Sequence, residues 1–128
     1  MIAFDKNPDA IAALEINIKR NKIGGVISTH VCDSWGGIKT VNNLDRIIMN
    51  NPTSRHVDLI SIRNALKDRG IVNFYEINDV EGIAERMKLF NEEGFETMNK
   101  RIVHGYSKNS SMVSLEFRKV DRWVSRKE

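Results

Sequence analysis

The feature that most constrains the fold is the alternation of short apolar strands with amphipathic helices along the 128 residues. Apolar residues spaced three and four apart predict helices, and short apolar runs bounded by turn residues predict strands. The predicted order is strand, helix, strand, strand, helix, strand, helix, strand, strand. This order is typical of an α/β fold with a mostly parallel sheet and helices on its faces. The last two strands, joined by a loop at 106–110, add an antiparallel pair at one edge.

The boundaries of these elements follow from turn and capping residues. Asn7 is expected to cap the first helix, and Pro8 suits its first turn, where a missing N–H group costs nothing. Residues 35–43 are expected to be a loop, because Gly36 and Gly37 stand there without a G-x-G-x-x-G pattern. The predicted strands are 2–4, 26–31, 46–49, 71–77, 95–103 and 111–117, and the predicted helices are about 8–21, 54–67 and 80–93.

Length and composition indicate one domain, 1–128, with a basic C-terminal tail at 119–128. The formal net charge of +3 permits a polyanionic partner without requiring one. The single cysteine, Cys32, excludes an internal disulfide and fits a reducing compartment. No apolar run approaches the ~20 residues that cross a bilayer, and the start resembles no signal peptide. We therefore expect no membrane contact and a cytoplasmic location.

Polar residues follow three of the predicted strands at their carboxyl ends. They are Asp5, the pair Asp33 and Ser34, and the turn at 50–52, which reads Asn-Asn-Pro. Ligands of parallel α/β sheets bind beyond the carboxyl ends of the strands, so all three are expected to face one ligand.

Each of these signals has a structural alternative. Asp5 could hold a ribose diol, or it could accept hydrogen bonds from backbone N–H groups at the start of a helix. Asp33 could accept the exocyclic amine of adenine, or it could be an ordinary turn acid. Asn50 could face the polar edge of a ligand, or belong to a plain Asn-Pro turn.

Metal binding and thiol chemistry are not expected. The three histidines are scattered without a paired spacing or a nearby acid cluster, so no metal ligand is assigned. Cys32 is expected to be a small residue at a strand end. The basic residues of the tail are expected either to be solvated or to contact phosphates.

Four sequence blocks resemble, in order and spacing, one enzyme family: FDKNPDAI with NIKRNK, then RIIMNNP, then GIVNFYEI, then KRIVHGYS. The family is that of the archaeal and eukaryotic-type tRNA guanine-N1 methyltransferases, which modify the guanine following the anticodon, together with related wybutosine-pathway enzymes. The resemblance covers about residues 2–118. It implies a Rossmann-like class I methyltransferase fold with S-adenosylmethionine as cofactor and tRNA as partner.

The resemblance also implies roles for single residues. Asp5 would hold the ribose of the methyl donor, with Lys6 and Asn7 beside it, and Asp33 with Ser34 would lie by the adenine. Asn50 would contact both the cofactor and the target base, and Pro52 the target base. Two positions depart from the family pattern: Asn51 replaces an apolar residue, and Lys108 stands where proline normally follows the last block.

In this family the first strand, the glycine-rich turn, the acid proposed as catalytic base and the tRNA-binding domains precede the point where this chain starts. Asp33 and Glu76 are the acids at hand, and neither is assigned as the base. The first strand would lie between the strand that ends at Asp5 and the strand at 46–49. Three outcomes are open: the two strands pair directly, they pair with another chain in a homo-oligomer, or the chain is a fragment of a longer protein. We expect one of the first two, with an incomplete donor site.

Three functions remain open at this stage. The chain could methylate guanine N1 next to the anticodon, or transfer the aminocarboxypropyl group of the same cofactor as the wybutosine-pathway enzyme does. It could also be an inactive remnant that acts as a binding or assembly module.

Overall fold

The computed structural model describes residues 1–50 and 56–120. The chain divides into two compact units, Met1–Val41 and Asn42–Glu128, called here the N-terminal and C-terminal units.

The N-terminal unit is a small parallel sheet with helices. It comprises β1 (Ile2–Asp5), α1 (Pro8–Arg20), β2 (Ser28–Val31), α2 (Ser34–Gly37) and a 3-10 turn at Ile38–Thr40. Strands β1 and β2 pair in parallel, so their carboxyl ends lie at one edge.

Helix α1 begins as the sequence predicts. The Asn7 side chain caps it by accepting a hydrogen bond from the Asp9 N–H group at 2.9 Å, and Pro8 is the first helical residue. Ile11 and Ile18, one apolar stripe two turns apart, are buried. The predicted helix and its cap are therefore confirmed.

The C-terminal unit is a four-stranded sheet with two helices. Its elements are β3 (Leu44–Asn50), α3 (Leu59–Ala65), β4 (Leu66–Asn78), α4 (Val80–Glu92), β5 (Phe95–Gly105) and β6 (Ser111–Lys119). The strand order is β3-β4-β6-β5, with β3 parallel to β4 and β6 antiparallel to both of its neighbours. The predicted antiparallel pair at the C-terminus is confirmed, and so is the α/β fold class.

An aromatic cluster forms the core of the C-terminal unit. The Phe90 ring of α4 stacks on Phe117 of β6 with centroids 3.9 Å apart. It meets Phe74 and Phe95 edge-on at 5.5 and 5.4 Å. Val72 and Phe74 alternate along β4 with half-exposed residues, so one face of the sheet packs on α4 and the other does not.

Several predicted bounds are wrong, among them the start of the strand expected at 26–31, since β2 begins at Ser28. The segment 35–43, expected to be a loop, contains α2 and the 3-10 turn. The helix expected at 54–67 is shorter, because α3 ends at Ala65 and β4 begins at Leu66, which pairs with Leu44 of β3. The start of the expected helix, 54–55, lies outside the described residues.

The described strands form two separate sheets. Strand β1 pairs with β2, and β3 pairs with β4. Direct pairing between the strand that ends at Asp5 and the strand at 46–49 would join the two units, and it remains a prediction. The expected pairing with another chain remains a prediction. Within residues 1–50 and 56–120, no helix is long and apolar enough to cross a membrane.

A buried ion pair ties α4 to β4. Glu76 and Arg86 are 1% and 8% exposed. Arg86 Nη2 lies 2.7 Å from Glu76 Oε1, and Arg86 Nε donates to Glu76 Oε2 at 3.2 Å. The guanidinium also lies 5.5 Å from the centroid of the Phe74 ring. Because both charges are out of water, each depends on the other for compensation.

We predict that Glu76→Gln lowers the free energy of unfolding by about 3–5 kcal/mol, since it removes the negative charge of a buried ion pair. Urea denaturation measures the change. Glu96→Gln is the matched control, because Glu96 pairs with Arg118 at the surface, where such pairs contribute about 0–1 kcal/mol. Equal losses in the two variants would contradict the prediction, and so would a failure of Glu76→Leu with Arg86→Met to recover stability relative to Glu76→Leu alone.

Candidate functional site

Asp5 is the last residue of β1, and only one of its two carboxylate oxygens accepts a hydrogen bond within the described residues. Its Oδ1 accepts a hydrogen bond from the Asn7 N–H group at 2.9 Å, which fixes the turn into α1. Its Oδ2 makes no hydrogen bond with the part of the chain that the structure describes, and the residue is exposed. The structural role of Asp5 is thus present, and one oxygen stays open to a ligand.

Asp33 lies beside Asp5 at the same sheet edge. The Cys32 N–H group donates to the Asp5 carbonyl at 3.0 Å, so the chain leaving β2 runs alongside the end of β1. Asp33 occupies the cap position of α2, and its carbonyl accepts from the Gly37 N–H group at 2.8 Å. Its carboxylate makes no capping bond. The structure therefore brings the two predicted acids of the N-terminal unit together.

The other predicted contacts of this unit are neighbours of these two acids. Lys6 and Ser34 are exposed. Asn7 is exposed as well, but its side-chain oxygen is occupied by the helix cap. Ser34 is the first residue of α2. Their roles toward a cofactor remain predictions.

Asn50 belongs to the C-terminal unit, where it ends β3. It is exposed and stands opposite Tyr75 of β4. Its convergence with Asp5 and Asp33 on one ligand remains a prediction. Pro52 and Asn51 lie outside the described residues.

A cleft of about 680 Å³ opens in the N-terminal unit. Phe4 and His30 line it from the sheet, with ring centroids 5.5 Å apart, and Gly36, Gly37 and Thr40 line it from the segment that follows β2. Its volume is in the range of small-molecule sites. Asp5 and Asp33 are not among the lining residues.

Sequence reasoning missed this cleft. Phe4 precedes Asp5 by one residue and therefore points to the opposite face of β1, and His30 is its partner across the parallel pair. Reading the strand as alternating faces could have identified both rings as one surface.

Gly37 allows α2 to pack directly on that surface. A Cβ atom at position 37 would lie 2.7 to 2.8 Å from ring atoms of Phe4, closer than real contacts permit. Gly36, one residue earlier, has open space around it. The approach of α2 to β1 therefore requires the absence of a side chain at position 37.

The remaining candidate acid, Glu76, is committed to the core. It is bonded to Arg86 through both oxygens and is almost fully buried, so it is not available as a general base. Among the residues of 1–50 and 56–120, no group of three His, Cys, Asp or Glu side chains is placed to hold a metal ion.

Parallel strands with acids at their carboxyl ends, and an antiparallel pair at the C-terminus, define the class as a Rossmann-like α/β protein. The particular family follows from comparison. The TRM5/TYW2 methyltransferase domain matches residues 1–106, and the chain belongs to that family. The resemblance seen in the four sequence blocks is thereby confirmed.

Individual relatives agree with this assignment. The tRNA (guanine(37)-N(1))-methyltransferase Trm5b of Pyrococcus abyssi is 29% identical over 92% of this chain and 37% of its own length. A complex of aTrm5 and tRNALeu has a TM-score of 0.79 at 29% identity, covering 92% of this chain and 34% of that one. TYW2 of M. jannaschii in complex with AdoMet has a TM-score of 0.73 at 25% identity, covering 93% and 57%.

This chain is shorter than the relatives that it matches. This chain spans about a third of the curated relatives that it matches. What the relatives do as whole proteins is therefore not yet an assignment for this chain.

We predict different effects of alanine at the two adjacent glycines of α2. Gly37→Ala should destabilise the N-terminal unit by about 1–3 kcal/mol, because the new methyl group overlaps the Phe4 ring. Gly36→Ala should be neutral or stabilising by up to about 1 kcal/mol, because alanine favours the helix.

Amide hydrogen exchange provides the measurement. The N–H groups of Cys32 and Gly37, which donate to the carbonyls of Asp5 and Asp33, should exchange faster in Gly37→Ala than in Gly36→Ala or the parent. Unchanged protection in Gly37→Ala would show that α2 does not depend on the close approach to Phe4.

Proposed function

We propose that this chain serves in an S-adenosylmethionine-dependent tRNA methyltransferase that modifies N1 of the guanine next to the anticodon. The proposal is carried by the position of two acids in a chain of the TRM5/TYW2 family. Asp5 and Asp33 both lie at the carboxyl edge of the adjacent parallel strands β1 and β2.

The N-terminal unit has the groups that a nucleoside requires. A ribose diol donates two hydrogen bonds, and the free Oδ2 of the exposed Asp5 is an acceptor for them. The exocyclic amine of adenine donates to an acceptor such as the uncommitted carboxylate of Asp33. Lys6, Asn7 and Ser34 flank these acids and complete the proposed cofactor contacts.

The role proposed for Asn50 and Pro52 is to position the target base. When bound, S-adenosylmethionine supplies an electrophilic methyl group, and transfer requires that donor and acceptor be held close and aligned. Asn50 carries both an amide donor and a carbonyl acceptor, which suits the polar edge of a guanine. Guanine N1 also carries a proton that a base must accept, and Glu76, which is paired with Arg86, is not proposed for this role.

The names and complexes of the relatives support both the cofactor and the substrate proposed for this chain. Trm5b is named for methylation of guanine 37 at N1, aTrm5 has been solved with tRNALeu, and TYW2 has been solved with AdoMet. Since the chain spans about a third of the Trm5b relatives, the activity is proposed here for its part in the site alone.

A second function is favoured by the similarity to TYW2. In it, the same site would transfer the aminocarboxypropyl group of the cofactor. The two reactions add groups of different mass to the RNA, so mass spectrometry of the RNA after incubation with cofactor and chain distinguishes them.

We predict that Asp5→Asn weakens S-adenosylmethionine binding at least tenfold, because a charge-assisted hydrogen bond contributes about 1.5–3 kcal/mol. Isothermal titration calorimetry with the parent and the variant measures this. Asp9→Asn is the matched control, since it removes the same charge from the first turn of α1 without changing the strand end.

The outcomes separate the hypotheses. Equal affinity in parent and Asp5→Asn would refute the role of Asp5. Neither heat nor thermal stabilisation in the parent at millimolar cofactor would refute the enzyme proposal and leave a binding or assembly module.

A further inference from the structure

The tip of the β5–β6 hairpin projects an exposed basic and aromatic surface. Every residue from 98 to 109 is exposed, across the second half of β5 and the turn that follows it. The basic side chains of this hairpin tip, defined as residues 98–110, are Lys100, Arg101, His104 and Lys108. Tyr106 is 64% exposed, although aromatic rings ordinarily find partners.

Charge in this part of the chain is one-sided. No Asp or Glu stands between residues 97 and 115, although the whole chain has 17 acids against 20 Lys and Arg. Lys100, Arg101 and Lys108 form no salt bridge with any residue that the structure describes. Five cations elsewhere in the unit form ion pairs: Arg46 pairs with Glu116, Lys67 with Asp45, Arg86 with Glu76, Arg118 with Glu96, and Lys119 with Asp68.

The register of the sheet places the hairpin tip near Asn50. Asn50 stands opposite Tyr75, Tyr75 opposite Ser114, and Ser114 opposite Arg101. Asn50 and Arg101 thus share one row on one face, three strand spacings or about 14 Å apart.

The turn of the hairpin also lies at the ligand-binding end of the sheet. Strand β5 runs parallel to β3 and β4, since both β4 and β5 are antiparallel to β6. Gly105 is level with Asn78, the last residue of β4, so 106–110 extends beyond the carboxyl ends of the strands. The turn is held by the Ser110 carbonyl, which accepts from the N–H groups of Tyr106 and Ser107 at 2.9 and 3.0 Å.

We propose that the hairpin tip binds the single-stranded RNA loop that carries the target base. Arg101 and Lys108 neutralise phosphates, and Tyr106 stacks on an unpaired base. Lys100 is next to Arg101 in β5 and so points to the opposite face of the sheet, where it is level with Leu115. Cations combined with an exposed aromatic ring suit unstacked single strands, whereas duplex RNA is recognised mainly by shape. This inference rests on the proposed function and specifies which surface engages its substrate.

A structural explanation for the same cations exists. Lysines on an edge strand can prevent sheets from pairing edge to edge, and β5 is at the edge of its sheet. That explanation accounts for Lys100 and Arg101 on the strand. It gives no reason for an exposed tyrosine and a further lysine in the turn.

The test uses the full 128-residue chain and a fluorescently labelled RNA hairpin with a guanine in its loop, followed by anisotropy at several salt concentrations. The Arg101→Glu and Lys108→Glu double variant should bind at least tenfold more weakly. Its slope of log affinity against log salt should flatten by about 1.4, because each phosphate contact to a single strand contributes about 0.7.

Two controls separate the surface from general charge and from folding. The Arg69→Glu and Lys88→Glu double variant changes net charge equally at exposed sites outside the hairpin tip and should keep the parent slope. Tyr106→Ala should bind about tenfold more weakly, while Tyr106→Phe should bind as the parent does. Circular dichroism confirms that each variant is folded.

Several results would overturn the inference. Among them are no RNA binding by the parent, equal affinity and slope in the hairpin-tip and control variants, or self-association of the hairpin-tip variant with unchanged RNA affinity. Calorimetry with S-adenosylmethionine on the same proteins keeps the two proposals distinct. Loss of RNA binding alone tests the hairpin tip, whereas absence of cofactor heat in the parent tests the proposed function.

Discussion

The pairing of β4 along both of its edges is the constraint on which the C-terminal unit depends. One edge bonds to β3 in parallel and the other to β6 in an antiparallel ladder. Phe74 and Glu76 must face α4, so a slip by one residue would expose the aromatic core and bury Tyr75 instead. Burial of one face of the sheet therefore also determines which residues lie on the opposite face, where Asn50 and Arg101 share a row.

The N-terminal unit follows the same principle on a smaller scale. A parallel pair of four-residue strands gains little from its own hydrogen bonds, and it is stabilised by α1 and α2 packed on it. Parallel pairing determines that Asp5 and Asp33 emerge at one edge. The side chains of the sheet face, Phe4 and His30, then form a cleft separate from those acids.

The sequence predicted those parts of the fold that are encoded locally. Strand centres, α1 with its Asn7 cap, and α4 closed by Gly94 all have a short-range signal, and the structure contains each of them. Helix α2 was missed because Gly36 and Gly37 disfavour a helix on their own. Its packing on Phe4 is a contact between residues distant in the sequence, which no local pattern reveals. The early start of β4 was missed for a similar reason: Leu66 pairs with Leu44, which no local pattern reveals.

The candidate site was predictable to the same extent. Acids at strand ends can be read from the sequence, and the structure places Asp5 and Asp33 together. The hydrogen bond from the Asn7 N–H group to Oδ1 of Asp5, which leaves Oδ2 open, cannot be read from the sequence, because it depends on the turn into α1. The ion pair of Glu76 cannot be read from the sequence either, because its partner Arg86 lies ten residues away on a helix that packs against the strand of Glu76.

The contact between Phe4 and Gly37 links two distant positions as a single steric unit. A chain with any side chain at position 37 can keep α2 in place only if the ring at position 4 gives way to something smaller, such as alanine or valine. Among related sequences, loss of the glycine at position 37 is therefore expected only together with a smaller side chain at position 4. A phenylalanine at one would serve as a reliable sign of a glycine at the other.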